Sequence, residues 1–437
     1  MTPDIFAAHA HRLIDLIADY RRTISSRPVM ATTRPGAVKA LLAAQAPAAP
    51  EPFTQVLEDV ERIILPHLSH WQHPKFFAYF PSNAALASVL GDFLSTGLGV
   101  LGIAWQTSPA LSELEEVTTD WMRQLLGLSA AWQGVIQDTA STATLVALLC
   151  ARERATDFGL ARGGLQGEAA ALVVYVSTQA HSSVEKAALL AGLGREQIRK
   201  VAVDEALALS PQALAAAIRD DLAAGRKPCA VVVTTGTTAT TAVDPIAPVA
   251  ALCREYGLWL HVDAAMGGSA QLLPECRWMW EGIEGADSVV VNPHKWLGAV
   301  FDCSLYYLRD PQHLQRVLST NPSYLQTAAD GQVRNYRDWG IPLGRRFRAL
   351  KLWFLLRLEG VEALKARLRR DLANAQWLAE QVGAAADWKV VAPVTSSPAA
   401  MAACTGAAPR HAGSTEKCRL IQPSRGTASS SSRSSAP

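Results

Sequence analysis

The chain has 437 residues, of which 49% are hydrophobic, and a formal net charge of +2. This length allows a large core and two or three domains, and the balanced charge without a basic stripe argues against a nucleic-acid partner. The N-terminus lacks a basic segment followed by an apolar core, and no apolar run approaches the roughly 20 residues of a membrane span, so we expect a cytoplasmic protein. The seven cysteines are scattered without metal-ligand spacing, and we predict no metal site.

The N-terminal part is predicted to be helical. Apolar residues recur at helical spacing within residues 6–20, and a second helix is predicted over residues 53–64. Aromatic residues cluster within residues 73–82, and such a cluster more often belongs to a core than to a binding site. From the residues alone, the helices of this part could cap their own domain or pack on a second subunit.

Small and hydroxylated residues are predicted to open a helix near residue 140. The apolar pair Val135-Ile136 precedes the sequence Asp138-Thr-Ala-Ser-Thr142, and helical spacing is established from Leu145. Free backbone N–H groups at such a helix terminus suit a phosphate. Ser, Thr and Asp are also the ordinary capping residues of helices, and from the residues alone a plain cap is the commoner case.

Beyond residue 171, short apolar runs alternate with segments of helical periodicity. The predicted strands are residues 172–176, 201–203, 230–234, 258–262, 288–291 and 304–308, and the predicted helices are residues 183–193, 211–224 and 245–256. This alternation predicts an α/β fold with a mostly parallel sheet covered by helices.

Polar residues follow several of these strands, and they are predicted to meet at one edge of the sheet. They are His181, Gly236-Thr237, Asp263 and His294-Lys295. Ligands bind beyond the carboxyl ends of the strands in an open parallel sheet, so we predict a site there. A lysine in an apolar setting loses its proton readily and can attack a carbonyl, and Lys295 has such a setting. Taken singly, most lysines are surface charges, and most strand-closing aspartates form turns or caps.

The pattern changes after this predicted site. Residues 320–335 are polar and predict a loop that contains Tyr324. Residues 395–437 are rich in Ala, Ser and Pro, show no sustained periodicity, and are predicted to be disordered.

Two stretches, His261-Val-Asp-Ala-Ala265 and Asn292-Pro-His-Lys-Trp296, resemble the cofactor site of the group II pyridoxal-phosphate-dependent decarboxylases, specifically the aromatic-L-amino-acid decarboxylase branch. Further matches occur in residues 73–82, 108–115, 179–183, 321–325 and 342–348, and the similarity extends from about residue 15 to about residue 385. The resemblance implies an aspartate-aminotransferase-like fold (fold type I), pyridoxal phosphate (PLP) as cofactor, and a homodimer with a shared active site.

The resemblance also implies roles for individual residues. Lys295 would bind the cofactor covalently, and Asp263 would keep its ring nitrogen protonated. His181 would stack on the ring, and Tyr324 would give a proton to the substrate carbon. The implied cofactor-binding residues are Ala140, Ser141, His181, Thr237, Asp263, Ala265, Asn292, His294, Lys295 and Arg337. The implied substrate-binding residues are Trp71, Phe80, Pro81, Ser82, Leu101, Ile103, Leu343 and Gly344. Leu101 and Ile103 would reach the pocket from the other subunit.

The resemblance divides the chain into four parts. Residues 1–85 would be a helical dimerisation segment, residues 86–365 the large PLP-binding domain, and residues 366–394 the start of a small C-terminal domain. Relatives continue with a mixed α/β domain where residues 395–437 stand, and we interpret this tail as frameshifted or divergent. Asp138 is a further departure, because many relatives have glycine there.

The implied function is decarboxylation of an aromatic L-amino acid to its amine and carbon dioxide. Tryptophan, 5-hydroxytryptophan, DOPA, tyrosine and phenylalanine all stay open as substrates, because Gly344 lies where relatives that accept indoles have a small residue. One alternative is oxidative deamination to an aldehyde, but aldehyde-forming relatives tend to replace the residues that correspond to Tyr324 or His181. Another alternative is a catalytically silent protein that binds the cofactor.

Overall fold

A computed structural model describes residues 1–80, 84–320, 329–390 and 421–423. Residues 1–78 and residues 79–437 form two separate units. The first unit is helical, with α1 (Pro3–Thr23), α2 (Ala37–Leu41) and α3 (Phe53–Asp59), the last of which continues into a π-helical turn, Val60–Ile64. The two helices predicted in this part of the chain are confirmed. Thr2 caps α1 by accepting a hydrogen bond from the Ile5 N–H, as expected for a helix with proline at its first position.

The second unit contains a seven-stranded sheet. Its strands are β1 (Gln133–Gln137), β2 (Leu172–Ser177), β3 (Ile198–Val201), β4 (Lys227–Thr234), β5 (Trp259–Asp263), β6 (Ser288–Val291) and β7 (Ser304–Leu308). Their order is β1-β7-β6-β5-β4-β2-β3, and β7 is antiparallel to both of its neighbours while the other pairs are parallel. The predicted, mostly parallel sheet is therefore confirmed.

One predicted strand is displaced. The sequence pattern predicted a strand at residues 201–203, whereas β3 spans Ile198–Val201. This strand lies at the edge of the sheet and carries Arg199 and Lys200, which are less buried than its two apolar ends. Charged residues are common on edge strands, and here they interrupt the apolar run by which the other strands are recognised.

Helices cover both faces of the sheet. They are α4 (Leu86–Leu98), α5 (Pro109–Leu125), α6 (Ala140–Ala155), α7 (Ser182–Leu190), α8 (Pro211–Ala223), α9 (Ile246–Tyr256), α10 (Pro311–Leu318), α11 (Ala349–Glu359) and α12 (Val361–Ala384). Successive side chains of a strand point to opposite faces. Accordingly, Val173 and Tyr175 of β2 belong to one buried cluster, while Val174 and Val176 belong to a second. The sheet thus separates two cores.

The end of the chain departs from this layered arrangement. The boundary predicted between residues 365 and 366 falls inside α12. Two short strands follow, β8 (Trp388–Val390) and β9 (Ile421–Pro423), and they pair in antiparallel fashion. The tail of residues 395–437 was predicted to be disordered, and this is wrong for Ile421–Pro423, whose backbone pairs with β8; its other residues lie outside the described residues. Among the helices that are described, none is long and apolar enough to cross a membrane.

The close approach of α4 and α11 depends on Gly91. A Cβ atom at this position would lie 2.6 Å from the Leu350 carbonyl oxygen and 2.8 Å from the Lys351 Cα, both of them backbone atoms. We expect Gly91→Ala to force the helices apart and to lower the free energy of unfolding by about 1–3 kcal/mol, as overpacking usually does. Urea denaturation measures this effect.

Gly383 in α12 provides the matched control, because no atom lies within 4 Å of the Cβ that alanine would add there. Since alanine is the better helix former, Gly383→Ala should be neutral or stabilise the protein by up to about 1 kcal/mol. Equal unfolding midpoints for the two variants would show that the helix crossing tolerates a side chain.

Candidate active site

The carboxyl ends of the parallel strands meet at one edge of the sheet. Thr234 pairs with Asp263, and Asp263 pairs with Val290. Because β1 and β6 are both antiparallel to β7, they run in the same direction, and the turn that follows Gln137 joins the same edge. The polar residues that follow these strands are therefore brought to one side of the sheet, as predicted.

Lys295 lies in a short π-helical turn, Pro293–Leu297, which directly follows β6 and Asn292. The lysine is partly buried, and its Nζ lies 5.4 Å from the centre of the Phe80 ring. Desolvation lowers the pKa of Lys295, while attraction to the Asp263 carboxylate opposes this shift. A larger share of the amine is therefore neutral and nucleophilic than in a solvated lysine.

Asp263 is the last residue of β5 and is only 4% exposed. Its Oδ1 accepts a hydrogen bond from the Ala265 N–H at 3.1 Å, and the Ala265 carbonyl accepts one from the Asn292 N–H at 3.1 Å. Backbone hydrogen bonds thus connect the carboxylate with the residue that precedes the lysine turn. A buried carboxylate in this position favours the protonated form of a ring nitrogen beside it.

His181 caps the N-terminus of α7 and is exposed. Its Nδ1 accepts a hydrogen bond from the Ser183 N–H at 3.1 Å, so the neutral ring carries its proton on Nε2. Desolvation is the main cause that lowers the pKa of His181, the Lys295 cation acts in the same direction, and the Asp263 carboxylate opposes both. At neutral pH the ring is therefore neutral and can donate a hydrogen bond through Nε2–H. The charges of Asp263 and Lys295 both influence the pKa of His181, so the three side chains are near one another.

Two further predicted residues are held by partners on β7 and on the loop before it. The His294 Nδ1 accepts a hydrogen bond from the Cys303 N–H at 2.9 Å, and burial, with the Lys295 cation, lowers the pKa of His294 to about 4. The Asn292 Oδ1 accepts a hydrogen bond from the Ser304 hydroxyl at 2.7 Å. These contacts leave the His294 Nε2–H and the Asn292 amide NH2 as the groups that can donate to a ligand.

The start of α6 provides an anion site at the same edge of the sheet. Ala140 is buried and Ser141 is exposed, and both belong to the first turn, where backbone N–H groups have no partner within the helix. A carboxylate beside a bound phosphate would repel it. The Asp138 carboxylate has a partner of its own, because its Oδ1 accepts a hydrogen bond from the Thr139 N–H at 2.6 Å. Its negative charge also interacts with Arg348.

Thr237 and Arg337 fit the predicted cofactor site less directly. The Thr237 hydroxyl is used within its own turn, where it lies 2.8 Å from the Thr240 hydroxyl and accepts a hydrogen bond from the Ala242 N–H. The Arg337 guanidinium is buried and lies 3.6 Å from both Asp330 and Asp338. A phosphate would have to compete with these carboxylates, so the roles of Thr237 and Arg337 stay predictions.

The predicted substrate residues fall into separate groups. Phe80 faces the lysine, whereas Leu101, Ile103, Leu343 and Gly344 belong to two segments that are joined by a hydrogen bond from the Gly102 N–H to the Arg345 carbonyl at 2.9 Å. A Cβ atom on Gly344 would lie 3.8 Å from a Leu101 methyl group, so the two segments contact each other within one chain.

The other predicted residues belong to the first unit or lie outside the described residues. Trp71 belongs to the first unit, where its ring lies 4.9 Å from that of Phe76. Pro81, Ser82 and Tyr324 lie outside the described residues.

Sequence reasoning assigned no role to Ser304, which contacts a predicted site residue, or to His261, which lies on the same strand as Asp263. Ser304 orients the Asn292 amide, but a serine that opens a strand carries no distinctive signal. His261 lies two residues before Asp263 and therefore on the same face of β5, which the alternation of a strand could have indicated. Its ring is fully buried, with Nδ1 2.9 Å from the Ser288 hydroxyl and Nε2 3.4 Å from that of Thr144.

Burial of His261 makes stability depend on pH. Burial lowers the pKa of this histidine from 6.5 to about 4, so the unfolded chain binds its proton at a higher pH than the folded chain does. The contribution to stability is complete above pH 6.5 and is lost as the pH falls towards 4, by up to about 1.4 kcal/mol per pH unit. We expect His261→Gln to reduce the loss of unfolding free energy between pH 7 and pH 4.5. An unchanged loss in urea denaturation at the two pH values would contradict this.

Together these groups fit PLP. A partly neutral lysine amine suits covalent binding of an aldehyde, a buried carboxylate suits the ring nitrogen, and the N-terminus of α6 suits the phosphate. Asn292 and His294 add donors whose orientation is fixed by their own hydrogen bonds.

Comparison with known proteins agrees with this fit. Residues 35–401 match the pyridoxal-dependent decarboxylase conserved domain. The chain is 43% identical to phenylacetaldehyde synthase of Arabidopsis thaliana over 395 residues, which cover 88% of this chain and 80% of that protein. It is 42% identical to aromatic-L-amino-acid decarboxylase of Bos taurus over 385 residues, which cover 85% of this chain and 78% of that protein.

A solved structure extends the similarity to three dimensions. The crystal structure of Oryza sativa TDC with PLP and tryptamine superimposes with a TM-score of 0.86 at 37% identity, and the match covers 90% of this chain and 82% of that one. The chain therefore belongs to the pyridoxal-dependent decarboxylase family, and it is a PLP-dependent carboxy-lyase of fold type I.

Proposed function

We propose that this protein converts an aromatic L-amino acid into the corresponding amine and carbon dioxide. The observation that carries the proposal is that Lys295, Asp263 and His181 end or follow strands at one edge of the sheet, where the Asp263 and Lys295 charges both act on the pKa of His181. The names of the relatives support an aromatic substrate, since they include an aromatic-L-amino-acid decarboxylase and a phenylacetaldehyde synthase.

Each residue of this group has a distinct part in the proposed reaction. Bound PLP supplies an electron sink for the electron pair that remains when carbon dioxide leaves. Lys295 provides the amine for covalent attachment, in the neutral form that its desolvation favours. Asp263 would keep a proton on the ring nitrogen by charge attraction. His181 would stack on the cofactor ring, and its Nε2–H could donate a hydrogen bond to a bound ligand, because its Nδ1 already accepts one from the Ser183 N–H.

Binding of the phosphate is proposed for groups whose orientation is already set. The backbone N–H groups of Ala140 and Ser141 open α6, and the Asn292 amide points its NH2 away from Ser304. These donors would hold the phosphate, while Asp263 would act on the ring nitrogen and Lys295 on the aldehyde.

The choice between an amine and an aldehyde depends on the proton that the substrate carbon receives. We assign this proton to Tyr324 on the basis of the family resemblance. If the Tyr324 phenol gives its proton to the carbon that has lost carbon dioxide, the product is the amine. If that carbon is not protonated, an oxidant can react with it instead, and the product is the aldehyde. The presence of Tyr324 together with His181 supports amine formation.

Aldehyde synthesis is the second candidate. It is favoured by the similarity to the phenylacetaldehyde synthase of Arabidopsis thaliana, which at 43% identity matches this chain as closely as the decarboxylase of Bos taurus does. The two reactions differ in their products, because the oxidative route releases ammonia and consumes an oxidant.

We also propose that the protein acts as a homodimer with a shared active site. Helix α4 exposes an apolar stripe at helical spacing, formed by Leu86, Leu90, Phe93, Leu94 and Leu98. Exposed apolar surface of this kind marks an interaction site. The exposed Leu101 and Leu343 lie beyond this stripe in the two joined segments, which suits a contribution to the partner's pocket. Light scattering of the purified protein at working concentration should give twice the chain mass, and a monomer would contradict the proposal.

Product analysis tests the proposed reaction. Purified protein is supplied with PLP and with each of the five aromatic amino acids, and the amine, aldehyde, ammonia and carbon dioxide are quantified. Equal amounts of amine and carbon dioxide support the decarboxylase. Aldehyde with ammonia identifies the second candidate, and comparable turnover of glutamate or aspartate would contradict an aromatic pocket. Absence of any product despite cofactor binding identifies a silent protein.

A further inference from the structure

The turn that carries Lys295 ends with carbonyl groups that need partners from elsewhere. The last carbonyls of a helical turn have no hydrogen-bond donor within that turn. In Pro293–Leu297 these include the Trp296 and Leu297 carbonyls, and Nη2 of Arg367 on α12 donates to both, at 3.3 Å to Trp296. An arginine near the end of a helical segment is a known way to satisfy such carbonyls.

The guanidinium approaches the turn very closely. Gly298, the next residue, has a φ of +93°, and a Cβ atom there would lie 2.8 Å from Nη1 of Arg367. Glycine is therefore required both by the backbone conformation and by the space that the arginine occupies.

A second residue of α12 holds the same turn. The indole N–H of Trp296 donates a hydrogen bond to Oδ2 of Asp371 at 2.9 Å. Arg367 and Asp371 are four residues apart on α12 and therefore lie on one face of it. Both contacts fall on residues that directly follow Lys295, so the backbone on this side of the lysine is connected to α12.

Helix α4 holds the residues that follow the turn. The Ala85 N–H donates to the Gly298 carbonyl at 3.0 Å, and the Val300 N–H donates to the Ser88 hydroxyl at 2.9 Å. The lysine turn is consequently held between two helices that contribute no side chain to the predicted cofactor site.

We propose that Arg367 and Asp371 are positioning residues, which hold the turn Pro293–Leu297 so that the Lys295 amine keeps its place 5.4 Å from the centre of the Phe80 ring. The inference rests on the proposed assignment of Lys295 as the residue that binds the cofactor. The pair acts through backbone carbonyls and one indole, so its loss loosens the turn without removing any group that contacts the cofactor.

The central variant is Arg367→Met, which keeps most of the side-chain length and removes both donated hydrogen bonds. Arg369→Met is the matched control, because Arg369 lies on the same helix and pairs with Glu275 at 2.7 Å on a half-exposed surface. Loss of hydrogen bonds that fix the turn is expected to raise the PLP dissociation constant by about tenfold relative to the control. The dissociation constant is measured by the visible absorption of the bound cofactor.

A second readout needs no cofactor. In the cofactor-free protein, the labelling rate of Lys295 by an amine-directed reagent is followed by mass spectrometry as a function of pH. A loosened turn admits water to the amine, so the pH midpoint of labelling should rise in Arg367→Met towards that of an ordinary lysine. Arg367→Lys keeps a charged donor, so its PLP dissociation constant and its labelling midpoint should lie between those of the wild type and of Arg367→Met. Asp371→Asn keeps an acceptor for the Trp296 indole, so both quantities should lie closer to the wild-type values than those of Asp371→Leu.

One outcome would overturn the positioning role of Arg367 and Asp371, and a different outcome would overturn the assignment of Lys295 as the cofactor-binding lysine. If Arg367→Met is less stable to heat than the control but has the same dissociation constant and the same labelling midpoint, the residue is structural and the positioning role is wrong. If borohydride reduction and peptide mapping locate the cofactor on a lysine other than Lys295, the assignment on which the inference rests is wrong, whatever the variants of α12 show.

Discussion

Replacement of Lys295 by alanine is expected to abolish covalent binding of PLP and to lower kcat by at least about 10³-fold, because both a covalent attachment and a positioned amine are lost. The structure supports this expectation through the lowered pKa of Lys295, which desolvation causes and Asp263 opposes. Removal of the amine also leaves the nearly buried Asp263 without this cation, so the folded state of the variant is checked by circular dichroism before its activity is compared.

Lys295→Arg separates the nucleophile from the charge. Arginine keeps a cation near the Phe80 ring and Asp263, but its guanidinium is never deprotonated and does not attack the aldehyde. We therefore expect Lys295→Arg to be as inactive as Lys295→Ala and to lack the absorption band of the covalently bound cofactor. Substantial turnover in either variant would contradict the role of Lys295.

The second large effect is expected for Asp263→Asn. Asparagine has nearly the same shape, and its side-chain oxygen can still accept the hydrogen bond from the Ala265 N–H. Only the negative charge is lost. Removal of one partner from a buried ion pair costs about 3–5 kcal/mol, which corresponds to roughly 10²- to 10⁴-fold in kcat if the proposed pair of Asp263 with a protonated ring nitrogen acts in the reaction. We expect kcat to fall by this factor while KM changes little.

Titration provides a readout of Asp263→Asn that does not depend on turnover. In the wild-type protein the Asp263 carboxylate opposes the lowering of the pKa of His181. Without that charge, the pKa of His181 should fall further, and nuclear magnetic resonance of the cofactor-free protein can follow it. An unchanged titration would show that the two side chains are not coupled in solution.

Asp244→Asn is the control for this experiment. Asp244 is also a buried carboxylate near a strand end, and it accepts hydrogen bonds from the Leu209 and Thr234 N–H groups at 2.7 and 2.8 Å. Burial raises the pKa of Asp244 to about 7. Its replacement leaves one N–H group facing an amide NH2, so a stability loss of about 1–3 kcal/mol is expected, with no change in the His181 titration.

Much of the fold could be predicted because apolar periodicity is a local property. The strands β6 and β7 have the boundaries that the pattern predicts, and the helices between β2 and β6 differ by a few residues at most. The edge strand β3 was displaced because its charged residues obscure the pattern. The antiparallel direction of β7 was not predicted, since direction depends on how a strand pairs in space.

In the candidate site, too, local sequence identified residues but did not specify the contacts they make in space. Lys295 and Asp263 were recognised because each follows or ends an apolar run, and their short motifs identified the family. Thr237 was placed in the cofactor site by the same reasoning, yet its hydroxyl is occupied by neighbours within its own turn. A motif specifies which residues are present but not the hydrogen-bond partners that each one finds.

The sequence by itself determined the class of fold, the family, the cofactor and the strand-end location of Lys295, because these depend on local pattern and on short motifs. The tertiary structure alone decided which distant groups contact Asn292 and the turn that carries Lys295. Ser304 reaches Asn292, Arg367 reaches the carbonyls after Lys295, and Asp371 reaches the Trp296 indole only when distant parts of the chain pack together. Such contacts depend on distances between residues far apart in sequence, and no local periodicity records those distances.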